Sequence, residues 1–493
     1  MANTFFGLNI ATTGLYAANT GLTVSANNAS NETTKGYSRQ TVSQEATRAL
    51  RVYQRYGAVG TGTEVTAITR NRDAYYDTKY WKNQSKYGEY NSKNYYMLEL
   101  EDFFNDSDES GFSVEFQNIF SAIEDLRKTP ESVEGRTAVV NYADSFIKYM
   151  EQIKTNLMLE QEDINAEIND NVDKINSITQ EIATLNKQIN VVELAGANAN
   201  ELRDKRELLL DELSEIVEID TKEITYDNGK TEFYVTTAGK SLVNNYDYFA
   251  LKVETRAEQA DSDDAVGLYN IKWSYGETFD PIAQNVHGKL YALLEVRDGN
   301  NGEPEVGNKN SKAIDYKGVP YYVDEVNKFL ETFTAKFNEI QAQGQDLNGD
   351  SGANTPIFVK SANGVYSVNK EILDNPNKLC TTKSIAQGTA AYDLLDDMMD
   401  FKNAKIYEGG TAIEYLNSMV TEIGIDTKRA GSLETNYLNI QKTIQNQRLS
   451  VMGVDADEEA MNLVKYKEAY DLSAQIISIM NQIYDKLINQ TGL

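Results

Sequence analysis

Isoleucine returns every seven residues at Ile168, Ile175, Ile182 and Ile189, and Ile164, Asn171, Ile178, Leu185 and Val192 fall between them. Alternating steps of three and four residues put these side chains on one stripe of an α-helix. The run reads as one long coiled-coil-like helix with a single polar seam residue, Asn171. A stripe of this length needs cover along its run. Residues 203–217, with Leu208, Leu209, Leu213, Ile216 and Val217 apolar, read as a returning helix. The turn is expected at Ala195-Gly196-Ala197-Asn198-Ala199-Asn200, giving an antiparallel helical hairpin.

Two further heptad runs lie near the termini. Gly7-Leu8, Gly14-Leu15 and Gly21-Leu22 repeat at seven, with Ala11, Ala18 and Ser25 three residues after each leucine. Small residues let helices approach closely, but each glycine inside a helix costs up to about 1 kcal/mol relative to alanine. Such a helix needs a partner surface. At the other end Leu463, Tyr470, Ile477 and Tyr484 fill one heptad position and Tyr466, Ser473, Met480 and Leu487 the other. Ala469, Ile476, Ile483, Leu472 and Ile479 widen that apolar face, and residues 472–484 carry no charge. A helix apolar on more than one side calls for more than one neighbour; the alternative is an ordinary core helix. Leu8, Leu15, Leu22, Leu463, Tyr470, Ile476, Ile477, Met480, Ile483, Tyr484 and Leu487 are the expected subunit-packing residues, ordered on assembly. Gly36-Tyr37-Ser38-Arg39-Gln40 marks an abrupt exit from the first helix, with Gly36, Tyr37 and Arg39 as a structural joint.

Between these runs, helices are expected at 112–126 and 133–159, broken at Thr129-Pro130, and again from 288, over 321–343 and over 432–452. The last helix follows the acidic residues 455–459, which suit a helix N-terminus. Residues 221–285 change pattern. Short aromatic and branched runs alternate with turn signals at Asp227-Asn228-Gly229, Thr237-Ala238-Gly239 and Asn244-Asn245. The fold expected is mainly α with an inserted β domain. Residues 1–60 plus 455–493 form a terminal coiled-coil-like inner domain. Residues 61–220 plus 286–345 plus 411–454 form a long helical-bundle domain, 221–285 a small β domain, and 346–410 a mixed loop-rich region packed on one of these.

The 493 residues suit two to four domains. With 47 basic and 75 acidic residues the net charge is −28, which disfavours nucleic acid and anionic lipid as partners. The lone cysteine, Cys380, forms no internal disulfide and reads as a small inert residue. Residues 1–31 carry no side-chain charge, so the basic start of a secretory signal is missing. The compartment is the cytoplasm or one reached by dedicated secretion.

Catalytic patterns are sparse. The lone histidine, His287, reads as a turn or helix-start residue, since no nucleophile stands near it in sequence. Paired-histidine zinc, phosphate-loop and dinucleotide motifs are absent. Asp346, Asn348 and Asp350 match the first three ligand positions of a calcium loop. Ser351 stands where glycine is required and Ile357 where the bidentate glutamate belongs, so a polar turn is the preferred reading and weak calcium binding the other.

Several blocks, in order, resemble the flagellar hook-associated protein 1 family. They are Gly14-Leu15, Asn27-Asn28 and Gly36-Tyr37-Ser38-Arg39-Gln40, then Val59-Gly60-Thr61-Gly62-Thr63-Glu64-Val65 with Ile68 and Arg70. Asn200-Glu201-Leu202-Arg203-Asp204-Lys205-Arg206 through Glu212-Leu213-Ser214 is a more family-specific block. Gln345-Asp346-Leu347-Asn348-Gly349 follows, and last Gln447-Arg448-Leu449-Ser450 with Gly453-Val454-Asp455 and Glu458-Glu459. Ala456-Asp457 departs from the usual phrase, and the stretch 350–410 is short for a member with an extra outer β domain.

The resemblance implies a structural subunit, without catalysis, cofactor or metal, that joins hook to filament at the distal end of the hook. The terminal helices would pair in an inner tubular layer, with long helices in the next and the β insertion outward. Partners would be copies of itself in a ring-like layer, the hook protein, the second junction protein, the flagellar type III export apparatus and a cytoplasmic chaperone at the C-terminal helix. It would be cytoplasmic before export and extracellular after, without membrane insertion. The alternatives are another axial subunit (hook, distal rod or second junction protein), an enzyme on a flagellar scaffold, or an adhesin-like module in 221–285.

Overall fold

The computed structural model describes residues 6–51, 57–104, 111–226, 230–407 and 409–489. Helix α1 (Phe6–Ser30) leads into strands β1 (Gln40–Ala46), β2 (Leu50–Arg51), β3 (Ala58–Val59) and β4 (Thr63–Arg70). Then come α2 (Ala74–Phe103), α3 (Phe112–Lys128), α4 (Val133–Leu194) and α5 (Asn200–Ile216). Six strands follow: β5 (Asp220–Thr225), β6 (Thr231–Thr237), β7 (Lys240–Asn244), β8 (Asp247–Tyr248), β9 (Leu251–Thr255) and β10 (Tyr269–Trp273). Beyond α6 (Lys289–Asp298) and α7 (Val319–Ala342) lie β11 (Phe358–Lys360), β12 (Tyr366–Val368), α8 (Lys370–Asp374) and α9 (Asp393–Phe401). Two long helices, α10 (Ala412–Met452) and α11 (Ala456–Asn489), complete the chain, which is mainly α with small sheets.

The helices expected at 133–159 and 164–192 are one helix of 62 residues. Between Gly135 and Gly196 the sequence has neither glycine nor proline, and the polar residues 160–163 do not interrupt the backbone. Likewise α10 begins twenty residues before the expected 432. The break at Thr129-Pro130 is present: α3 ends at Lys128, and the Thr129 N–H donates to Leu126 O. The turn expected at Asp227-Asn228-Gly229 lies outside the described residues.

The chain divides into two compact units. The first comprises Met1–Tyr87, Asp173–Leu251 and Tyr437–Leu493; the second comprises Gly88–Val172 and Lys252–Asn436. Helices α2, α4 and α10 contribute residues to both.

In the first unit α1 packs against α11 and against the ribbon β1–β4. That ribbon is antiparallel, from Gln40↔Arg70 to Ala46↔Thr63, with an irregularity between Ser43 and Gln44. On α4 the stripe Ile175, Ile178, Ile182, Leu185 and Ile189 is buried, as are Leu210, Leu213 and Ile216 of the returning α5. Strands β5, β6, β7 and β8 form one antiparallel sheet in that order. Asparagines of α4 bind the backbone at the first residues of β6 and β9. Asn190 accepts from the Thr231 N–H at 2.9 Å and donates to Thr231 O at 2.6 Å. Asn176 does the same at Leu251, at 2.8 and 2.9 Å. The strands of 221–285 do not form one sheet: β9 and β10 pair separately, and except for Leu251 they belong to the second unit.

The second unit is built on phenylalanine. Phe116 and Phe120 of α3, Phe146 of α4, Phe329, Phe333 and Phe337 of α7, Phe358 of β11 and Phe401 of α9 are all buried. Phe333 alone meets six of the others, with ring centroids 4.8 to 6.2 Å apart. Steps of four along α7 put its phenylalanines on one face. Arg136, fully buried at the start of α4, donates to the carbonyls of Leu379 and Pro130 and to Thr381 Oγ1. Burial pulls its pKa down. Asp346 Oδ1 accepts from the backbone N–H groups of Asn348 at 2.8 Å and Asp350 at 2.9 Å, closing the loop as a polar turn. Cys380 is fully buried and its thiol is pushed up to about 12 by that burial. His287 precedes α6, with Nδ1 2.8 Å from Glu89 Oε2.

Candidate assembly surface and joint

The glycine heptad of α1 meets the second heptad of α11 in antiparallel order. Gly7 faces Met480, Gly14 faces Ser473 and Gly21 faces Tyr466. A Cβ on Gly21 would lie 2.5 Å from the Tyr466 ring and one on Gly14 3.2 Å from Ser473 Oγ; on Gly7 it would overlap the Met480 methyl. None of the three has positive φ. They serve close approach rather than backbone freedom. Ala11, Ala18 and Ser25 are buried; Leu8, Leu15 and Leu22 are half-buried.

The α11 residues named above fall into two groups. Leu463, Tyr470, Ile477 and Met480 are half-buried and Tyr484 is buried. Ile476, Ile483 and Leu487 are exposed by 40, 45 and 46%. Leu472 and Ile479 are more exposed still. Leu472, Ile476, Ile479 and Ile483 follow one another at four, three and four residues, a second apolar seam on the outer side of the helix. Ala474, Ile477, Ser478, Asn481 and Asp485 line an open groove beside it.

At the foot of this helix pair lies the joint. Gly36 has φ of 84°. Asn28, buried at the end of α1, accepts from the Gln40 N–H at 2.9 Å and from the Tyr37 hydroxyl at 2.8 Å, and donates to Gln40 O at 2.8 Å. Burial, then Glu201, Asp204 and Glu459, push the Tyr37 hydroxyl up to about 12. The Arg39 N–H donates to Met452 O at 2.8 Å, and its guanidinium reaches Glu459 Oε1 at 2.7 Å and Glu458 Oε2 at 2.8 Å. One residue thus ties the exit of α1 to the entry of α11.

Asp204, Glu207 and Asp211 of α5, at steps of three and four, form a carboxylate stripe that extends the joint. Asp204 accepts from the Ser38 N–H and hydroxyl at 2.8 and 2.7 Å and from Arg70 at 2.8 Å. Glu207 lies 3.3 Å from Arg70 and 3.4 Å from Arg206. Asp211 accepts from Trp81 Nε1 at 2.7 Å and from Arg448 at 3.0 and 3.2 Å. Arg448 also reaches Asp77 at 2.9 Å, and Asp77 holds Arg72 by two bonds at 2.8 and 3.1 Å. Burial alone would raise the pKa of Glu207, but Arg206, Arg72 and Arg70 outweigh it and hold that carboxyl down at about 2. At Asp211 burial outweighs Arg448 and the pKa moves up.

Of this network the sequence reading singled out only Gly36, Tyr37 and Arg39 as the joint. The missed signal was the acid spacing at 204, 207 and 211. Apart from Arg206, its arginine partners Arg70 and Arg448 stand 134 to 237 residues away in the chain, beyond any periodicity.

A sequence profile described as flagellar hook-associated protein FlgK helical domain matches residues 97–358, more than half of the chain. The chain belongs to the flagellar hook-associated protein 1 family. A second profile, bacterial flagellin C-terminal helical region, matches 408–490, most of α10 and α11. The flagellar hook-associated protein 1 of Bacillus subtilis (strain 168) is 25% identical over 523 residues, covering 100% of this chain and 99% of that protein. That of Salmonella typhimurium is 24% identical over 554 residues, covering 98% and 99%. The flagellar hook junction protein FlgK from Burkholderia pseudomallei, a solved structure, matches with a TM-score of 0.45 and 17% identity over 58% of this chain and 47% of that one. The hook-associated protein 1 family is one of structural flagellar proteins and is not a known enzyme family. No helix among the described residues is long and apolar enough to cross a membrane.

Proposed function

We propose that this chain is the structural subunit that assembles at the distal end of the flagellar hook and joins hook to filament, with no catalytic role. The observation that carries this reading is the second apolar seam of α11. Leu472, Ile476, Ile479 and Ile483 lie exposed on a helix whose opposite face already packs on α1. Burying such a seam yields roughly 25 cal/mol per Å2 of apolar surface. Copies of the same chain in a ring-like layer supply that cover, with the hook protein on one side and the second junction protein on the other. Before export, a cytoplasmic chaperone shields the same helix while the flagellar export apparatus receives the chain. The subunit then resides outside the cell, its β strands outward.

Deletion in the native bacterium tests the reading, scored by electron microscopy and by flagellin in the medium. The expected result is hooks without filaments and flagellin lost to the medium. Missing hooks would assign the chain to the rod or hook, and normal filaments would overturn the proposal. Aspartate at Ile476 and Ile483 together is expected to abolish incorporation while the rest of the chain stays folded.

A further inference from the structure

Lys154 lies on α4 in the second unit and is 6% exposed. Its Nζ donates to Asn327 Oδ1 on α7 at 3.0 Å. The other end of that amide, Nδ2, donates to Asp263 Oδ2 at 2.6 Å, and Asp263 Oδ1 is 3.9 Å from Nζ. An amine, a primary carboxamide and a carboxylate therefore close a triangle. Its orientation is fixed by chemistry, since only the amide oxygen accepts from lysine and only the amide NH2 donates to a carboxylate. Lys93, also buried in this unit, differs. It meets the carboxylates of Glu89 and Glu295 and the rings of Tyr90, Tyr291 and Tyr316, an ion pair in an aromatic surround.

We propose that Lys154 and Asn327 join through an intramolecular amide bond, with Asp263 as the proton carrier. Asp263 takes a proton from the lysine ammonium, leaving a neutral amine. Nζ then attacks Cγ of Asn327, rising out of the amide plane from its present hydrogen bond by rotation of the lysine side chain. The Nζ–Cγ bond forms and the Cγ–Nδ2 bond breaks. Asp263 hands its first proton to the departing Nδ2, takes the second from Nζ and passes that on too. One ammonium and one carboxamide become one secondary amide and one ammonium ion, and Asp263 is again a carboxylate. The step needs no oxidant or other co-reactant.

The surroundings suit it. Phe146 of α4 packs on Phe329 and Phe333 of α7, with ring centroids 6.0 and 5.1 Å apart, which holds the two helices together. Fixing the reactants in place removes the entropy cost of bringing them together, and the burial of Lys154 limits competing water at the amine. The product ties α4 to α7 by a covalent bond.

The test is the intact mass of the full-length protein, followed by peptide mapping. The expected result is a deficit of one ammonia and a branched peptide joining Lys154 to Asn327. Lys154→Arg restores the full mass. Asn327→Asp starts with an acid, loses water instead and converges on the same final mass. Asp263→Asn stays uncrosslinked; if it crosslinks as fast as the natural chain, the proton-carrier assignment falls. The full mass with both linear peptides in the natural protein would overturn the proposal, as would an ammonia loss confined to one linear peptide. Because the decisive measurement uses the natural chain, it does not depend on whether a variant folds.

Discussion

The two units solve the problem of a stable interior by opposite means. The first closes around charge: three carboxylates on one face of α5 meet arginines from β4, from α10 and from α5 itself. The second closes around eight phenylalanine rings, and Arg136 at its heart has backbone carbonyls and a hydroxyl for partners rather than a carboxylate. Ring packing tolerates approximate direction and is worth roughly 0.5 to 1.5 kcal/mol per pair beyond its area. A buried ion pair adds little net stability, but it punishes any arrangement that leaves one partner alone. The aromatic unit is thus held by quantity of contact and the charged unit by correctness of geometry. The charged unit is also the one that carries the joint.

Phe333→Ala is the severest way to probe that contrast. It removes the ring that meets six others and is expected to cost about 3–5 kcal/mol. Hydrogen exchange should show the loss in 88–172 and 252–436 while protection around α5 persists. Equal loss in both units would erase the distinction. Arg448→Met leaves Asp211 without its arginine, while Asp77 keeps Arg72, and should cost about 3 kcal/mol. Adding Asp211→Leu should recover part of it, and a double variant worse than the single would contradict an ionic origin.

Acid separates the units by sign. Glu207 has its pKa held at about 2, against an ordinary value of 4.5. Its contribution is present above pH 4.5 and is lost as the pH falls through 2, on the order of 3 kcal/mol in all. Glu207→Gln should flatten the melting-temperature profile in that window. In the second unit, burial pushes Asp264 up to about 6. Its contribution is complete below its ordinary value of 3.8 and fades as the pH rises through 6. Asp264→Asn should therefore stabilise that unit at pH 7 and change little at pH 4. The same slope in both variants would refute the contrast.

The smallest effects concern the helix pair. Gly21→Ala drives a methyl into the Tyr466 ring and should loosen α1 from α11 by about 1–3 kcal/mol. Gly14→Ala meets only a serine hydroxyl, and helix propensity should offset most of the crowding, leaving a net change below about 1 kcal/mol. Limited proteolysis of α1 ranks the two.

Sequence periodicity revealed what depends on neighbours along one helix. The stripe 164–192 and the heptads of α1 and α11 were legible because each is a repeat within a single element. Gly7, Gly14 and Gly21 and Tyr466, Ser473 and Met480 were both visible, but not that each glycine takes one of those three. The carboxylate–arginine network was hidden for the same reason: Asp204 and Arg70 belong to different elements, and pairing across elements leaves no period. The continuity of α4 through 160–163 is not legible from the apolar pattern, because those four positions are polar, yet they hold no glycine or proline to end the helix.

The glycine spacing in α1 makes the helix pair a rack with evenly cut teeth. Sliding α11 by one heptad, roughly 10 Å at 1.5 Å per residue, would bring Leu487, Met480 and Ser473 to Gly7, Gly14 and Gly21, again one side chain per notch. The teeth alone do not choose between these settings. Arg39 does, because its grip on Glu459 and on the Met452 carbonyl exists at one setting only. It acts as the pawl, and the distance between joint and helix tip is set at that single residue rather than along the whole seam.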